Sequence, residues 1–185
     1  MKNLFFLLLL PALIMSCGGG VEQYRAGVEE LTTSWDSATA SVTELQNNIA
    51  TDLANISKEA STLNIPAEAM AKLKPEQATE WQTAQNNFTQ ALQGFAPIRT
   101  EIGEFTKAWS EESQKVQALK EGLEAGTLDA TATTQINDLA ALIPQAKERV
   151  AGWQAAYAEA KSKTETALGE LKAKFDQLNA AMPVK

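Results

Sequence analysis

Apolar residues recur at alternating steps of three and four over three long stretches of the chain. The first stretch runs Val21, Tyr24, Val28, Leu31, Trp35, Ala38, Val42, Leu45, Ile49, then steps by four to Leu53, Ile56, Ala60 and Leu63. The second runs Trp81, Ala84, Phe88, Ala91, Phe95, Ile98, Ile102, Phe105, Trp109, Glu112, Val116, Leu119, Leu123. The third runs Ile136, Leu139, Ile143, Ala146, Val150, Trp153, Tyr157, Ala160, Thr164, then steps by four to Leu168, Leu171, Phe175, Leu178 and Met182. A period of 3.5 puts one narrow apolar seam on each helix and favours left-handed supercoiled packing, which an extra step of four locally unwinds.

Two breaks separate the stretches. Pro66 and Pro75 bracket the first, and each disfavours helix at the residue before it and suits a first helical turn. Ala67–Leu73 between them is expected as a short helix. The second break is Gly126-Thr127-Leu128-Asp129, with Gly126 as a C-cap and Asp129 as an N-cap. Helices are therefore expected over about 21–64, 75–125 and 130–182. Pro97 and Pro144 fall inside the second and third stretches without shifting the seam's phase, so they read as kinks. A competing reading ends a helix at Gly94–Pro97 and yields four or five shorter ones.

Short connections force neighbouring helices to be antiparallel, so the pattern predicts an all-α, elongated antiparallel three-helix bundle. The first and third helices then run parallel, and their two steps of four fall at similar heights. Matching the ends places Trp35, Trp109 or Phe105, and Trp153 in one layer, and Ile56, Trp81 and Phe175 in another. The architecture resembles a spectrin-type three-helix bundle, a likeness of shape only. Glu112 is the one charged residue on the second seam. A buried carboxylate needs a partner, and Arg25 and Lys147 lie near its height. A register-fixing pair of Glu112 with Arg25 is one expectation. An exposed Glu112 at the bundle surface is the other.

Composition narrows the chemistry. The 185 residues include no His and one Cys, with 16 basic and 23 acidic side chains for a net charge of −7. Such a surface repels nucleic acid, so no nucleic-acid partner is expected. Without His, the commonest general base and transition-metal ligand is missing, and the Glu-x-x-His pairs of di-iron bundles cannot form. No phosphate-binding glycine loop or EF-hand spacing occurs. Catalytic, cofactor and metal sites are all expected to be absent, and the chain is expected not to be an enzyme. Glu29-Glu30 and Glu111-Glu112 read as solvated helix faces. The aromatic seam from Trp81 to Trp109 reads as core, with a lipid cavity as the competing reading.

The first 17 residues carry the most specific signal. Lys2 precedes an apolar run from Leu4 to Ile14, too short to span a bilayer as a stable helix. Then come Ile14-Met15-Ser16 and the sole Cys17. This resembles the bacterial lipobox, with an apolar residue three before and a small residue one before the lipidated cysteine. The resemblance implies a signal peptide over 1–16 and acyl chains on Cys17. Two or more chains give stable anchoring without a membrane-spanning helix, at about 0.8 kcal/mol per buried methylene. Gly18-Gly19-Gly20 follows as a flexible tether. Removing the leader takes away Lys2 alone among charged residues and leaves a formal charge of −8. The residue after Cys17 is Gly rather than Asp, which by the same resemblance implies outer-membrane sorting.

These features together lead to an expected lipid-anchored envelope protein. Its helical rod would be monomeric and non-enzymatic, spacing, tethering or binding an envelope or surface protein. A helical-bundle carrier of lipid or another apolar ligand is the alternative.

Overall fold

The computed structural model describes residues 20–181. The expected signal peptide and Cys17 lie outside that range, as does Met182. The elements among the described residues are α1 (Glu22–Ser61), α2 (Ala67–Met70), α3 (Pro75–Gln93), α4 (Phe95–Ala125), α5 (Ala132–Ala140) and α6 (Leu142–Ala181). All are helical, and they form a bundle. α1 runs one way, α3 and α4 run back, and α5 and α6 return parallel to α1. At 1.5 Å per residue the 40-residue α1 and α6 are each about 60 Å long.

The second and third stretches are each interrupted by one residue, and the same cause acts twice. Pro97 has no N–H for the Gln93 carbonyl, and its ring crowds that carbonyl; Pro144 does the same to Ala140. The ladder therefore lapses at Gly94, between α3 and α4, and at Ala141, between α5 and α6. Gly94 keeps a right-handed backbone, φ −59° and ψ −22°, so the chain continues with a bend and the seam keeps its phase. Phe88, Phe95, Ile98 and Ile102 are all buried across the break. The bend brings α3 onto α6, where a side chain at Gly94 would lie 3.6 Å from the Ala160 methyl. α3 packs on α6 and scarcely meets α1.

The loops follow their local chemistry, with two departures. α1 ends at Ser61, before the expected 64, and the short helix after Pro66 stops at Met70 rather than Leu73. Pro75 opens α3, and the Lys74 N–H donates to the Gln77 side-chain carbonyl at 3.1 Å. Gly126 closes α4 with φ +70°, and the Thr127 N–H bonds back to the Gly122 carbonyl at 2.9 Å, a left-handed glycine cap. Asp129 is not the N-cap expected for the third stretch. Its carboxylate accepts from the Thr131 N–H at 2.8 Å and hydroxyl at 2.6 Å, making a turn before α5 begins at Ala132.

Three consecutive clusters fill the seam. The first joins Leu31, Trp35, Trp109, Leu119 and Ala146. The second joins Leu45, Ile49, Phe95, Ile102 and Trp153, and Phe105 packs against both. The third joins Ile56, Trp81, Phe88 and Leu171 with Phe175. The steps of four sit where they bring polar groups inward. Thr164 is fully buried and donates to the Ala160 carbonyl at 2.8 Å. In α1 the corresponding step passes Asp52, which meets Lys161 of α6.

Candidate functional site: paired indoles and flanking grooves

Trp35 of α1 and Trp109 of α4 stack face to face, centroids 3.7 Å apart and planes 8° from parallel. Each indole N–H needs an acceptor once buried, and each finds it on the opposite helix. Trp35 Nε1 donates to Ser113 Oγ at 2.8 Å, and Trp109 Nε1 donates to Thr39 Oγ1 at 2.8 Å. Each hydroxyl then donates to the carbonyl of the tryptophan four residues before it. Ser113 reaches Trp109 at 2.8 Å, and Thr39 reaches Trp35 at 2.9 Å. The result is a closed reciprocal clasp about a local two-fold axis between antiparallel helices. It leaves Trp35 only 3% exposed and Trp109 7%. Phe105 extends the stack toward Trp153, whose indole N–H donates to Glu101 at 2.9 Å.

The polar groups that tie the helices in register are therefore Thr39 and Ser113, not Glu112 and Arg25. Glu112 pairs with Lys115 on its own helix at 2.8 Å and is about one-third exposed. Arg25 pairs with Glu22 at 2.6 Å and Glu29 at 3.7 Å on α1, and the Glu22 carboxylate raises its already high pKa. Beyond the indole stack the seam is shared between positions 112 and 113. The small Ser113 takes the inner place by bonding to Trp35, and the longer carboxylate reaches solvent. A signal for the clasp does exist in the sequence. Glu30-Leu31-Thr32, Trp35, Thr39 and Val42 match Glu104-Phe105-Thr106, Trp109, Ser113 and Val116 at identical spacing.

A second polar cluster joins α1 to α6. Asp52 accepts from the Tyr157 hydroxyl and from Lys161 Nζ at 2.6 Å. The Lys161 ammonium, then the Tyr157 hydroxyl, hold the Asp52 carboxyl below the usual range. Asp52 in turn raises Lys161, while burial and then Asp52 raise Tyr157. Farther along, Lys172 of α6 pairs with Glu59, and Lys174 with Glu80 of α3 at 2.8 Å. Among the described residues no buried side-chain nitrogen or oxygen lacks a hydrogen-bond partner.

Two grooves flank the bend at Gly94. The larger, about 980 Å³, lies between α3–α4 and α6 over Ala91, Gly94, Ile98, Trp153 and Ala160. The Glu159–Lys163 pair stands on its rim. Phe88, Phe95 and Phe105, the residues expected to line a lipid cavity if one existed, do not line it. The smaller, about 460 Å³, lies between α1 and α4 and is formed by Gln46, Ile49, Ala50, Leu53, Arg99 and Ile102.

Comparison with known proteins adds no family. No family model matches the chain, and searches of curated proteins and of solved structures give no match.

Thr39→Val and Ser113→Ala each strand a buried indole N–H and are expected to lower unfolding free energy in urea by about 1–3 kcal/mol. Glu112→Ala removes only a surface pair and is expected to stay within about 0.5 kcal/mol of wild type. Larger loss from Glu112→Ala than from Ser113→Ala would reverse the assignment. The Asp52 cluster has a pH signature. A depressed carboxyl stabilises above its unfolded pKa and loses that contribution as pH falls through its folded one; raised lysine and tyrosine groups lose theirs as pH rises through their folded values. The stability gap between wild type and Asp52→Asn should be widest near neutrality. It should narrow in acid below the ordinary aspartate range and again in base above the ordinary lysine range. A gap independent of pH would leave the cluster without an electrostatic role.

Proposed function

We propose that the chain is a lipid-anchored helical rod of the bacterial cell envelope that acts as a non-enzymatic spacer, tether or binding module. The observation that carries this reading is Cys17. It is the sole cysteine, it ends the apolar run at Ile14-Met15-Ser16, and a three-glycine tether separates it from the helices. α1 begins at Glu22, five residues beyond Cys17. No described helix is long and apolar enough to cross a membrane, so in this reading attachment rests on the acyl chains. Gly18 in place of Asp favours the outer membrane.

The geometry of the helices supports a rod rather than a reaction centre. A filled seam about 60 Å long, with its buried polar groups satisfied, holds its far end at a fixed distance from an anchored near end. The alternative, a carrier that opens its bundle around an apolar ligand, needs room among the seam aromatics. Phe88 and Phe95 are instead buried against their neighbours.

Metabolic labelling with an alkyne palmitate in a bacterium that processes lipoproteins tests the anchor. The wild-type chain should take up label and fractionate with membranes, and Cys17→Ser should do neither. Membrane association of Cys17→Ser equal to wild type, or an unlabelled wild-type chain, would refute the anchor.

A further inference from the structure

The larger groove is a trough along the rod. One wall is a stripe of α6 from Arg149 to Glu170, and the other is the face of α3 and α4 from Asn87 to Glu101. At 1.5 Å per residue the α6 wall is about 30 Å long. Its middle is lined by small residues, Gly152, Ala156 and Ala160 from α6 with Ala91 and Gly94 from the other wall. A side chain at Gly152 would meet nothing within 4 Å, although glycine inside a helix is less favourable than alanine. The trough is therefore open to close approach by another helix, and no described residue fills it.

The charges along the α6 wall alternate in sign: Arg149, Glu159, Lys163 and Glu170. All four are exposed. Such a series is complementary to itself read backwards. Two α6 helices laid antiparallel, with the two-fold axis level with Lys161, set Glu159 opposite Lys163 of the second copy and Lys163 opposite its Glu159. Glu170 then lies within one turn of Arg149 of the second copy. A parallel pair in the same register would set each charge against its own kind. Most of this face lies where two acidic chains can meet at least cost. Residues 46–98 and 154–181 carry nine acidic and seven basic side chains, whereas residues 20–45 and 99–153, toward the Cys17 end, carry 14 and seven.

We propose that this face docks a second copy of the chain, antiparallel through α6, in place of the monomer expected from a filled seam. A self-complementary patch closes as a two-fold dimer, and flanking charges set the orientation of paired helices. Lys161 is level with its ion-pair partner Asp52 of α1. From Glu22 to that level α1 rises about 45 Å, so the near ends of the two copies point apart and lie about 90 Å from one another. With the rods standing out from the surface, two anchors so placed lie in opposing membranes. This last step rests on the lipid-anchored reading and sharpens it: the rod is a tether between apposed membranes, joined by pairing of outer halves.

Sedimentation of the processed chain carrying Cys17→Ser tests the face without any anchor. It should give a dimer, and adding Glu159→Lys or Lys163→Glu should weaken that dimer about tenfold, the scale of two surface ion pairs turned repulsive. Mixing the Glu159→Lys chain with the Lys163→Glu chain should recover the original affinity, because opposite charges then meet only between unlike chains. Gly152→Leu should abolish the dimer by filling the line of close approach. All three variants should melt near wild type, since the Glu159–Lys163 pair is exposed and position 152 is open. A parent chain that stays monomeric, a dimer indifferent to both reversals, or no recovery on mixing would each overturn the proposal. Bridging is read from phosphatidylcholine vesicles bearing the processed chain coupled through Cys17 to a maleimide lipid, which supplies an anchor whether or not a host acylates that residue. These vesicles should cluster, and those bearing Gly152→Leu should stay dispersed. A dimer without clustering would overturn the bridge, whereas clustering with no palmitate labelling in cells would overturn the lipoprotein reading and leave the docking face standing.

Discussion

The stack of Trp35 on Trp109 is the constraint on which the rest of the bundle depends. A heptad seam by itself tolerates slippage, because one layer of Leu, Ile and Val resembles the next. Two flat rings 3.7 Å apart, each with a directed N–H, do not. A one-heptad slip between α1 and α4 would separate the rings and strand both donors, at about 1–3 kcal/mol each, besides the stacking itself at about 0.5–1.5 kcal/mol. With α1 and α4 fixed, Phe105 passes the register to Trp153, and α6 is then committed. The polar contacts farther along, Asp52 with Tyr157 and Lys161, and Glu59 with Lys172, all agree with that one alignment.

The seam was largely legible from spacing because burial on a helix has a fixed period. Residues read at steps of three and four, such as Leu31, Leu45, Ile98, Leu119 and Leu171, are buried. Both prolines read as kinks within continuous helices, whereas the structure interrupts the helix at Gly94 and again at Ala141, because each proline leaves the carbonyl four residues before it without a donor. What spacing did not resolve was the choice between adjacent residues. Glu112 fits the alternation, yet Ser113 takes the inner role, because a hydroxyl can meet an indole N–H and back-bond to its own helix at once. The opening between α1 and α4 was illegible for a different reason. It follows from the direction of a bend, which is set by close approach at Gly94 and Ala160 rather than by any residue in the slot.

The order along the rod bears on what the protein does. The clasp lies in the half of α1 nearer Cys17 in sequence, where it ties α1 to α4, and Leu139 of α5 and Ala146 of α6 pack in the same cluster. The bend and both grooves lie farther out. Beyond them α3 leans on α6 and leaves α1 flanked on one side only. In the proposed lipid-anchored reading, the half of the rod with the bend and the grooves is the one held farther from the membrane. Charge agrees with that division: the ion pairs that cross between helices, Asp52–Lys161, Glu59–Lys172 and Glu80–Lys174, are all in the outer half. Asp52–Lys161 and Glu59–Lys172 join α1 to α6, and Glu80–Lys174 joins α3 to α6.

The central claim is an up-down-up rod in which α1 and α6 run parallel in a single register. Spin labels replacing Glu59 and Lys172, whose side chains pair in the structure, test it most directly by pulsed dipolar spectroscopy. They should lie close together, while labels replacing Glu22 and Lys172 should be separated by about 55 Å, the rise of the intervening α1 residues. Comparable distances for the two label pairs, or a long distance for Glu59 with Lys172, would contradict the account.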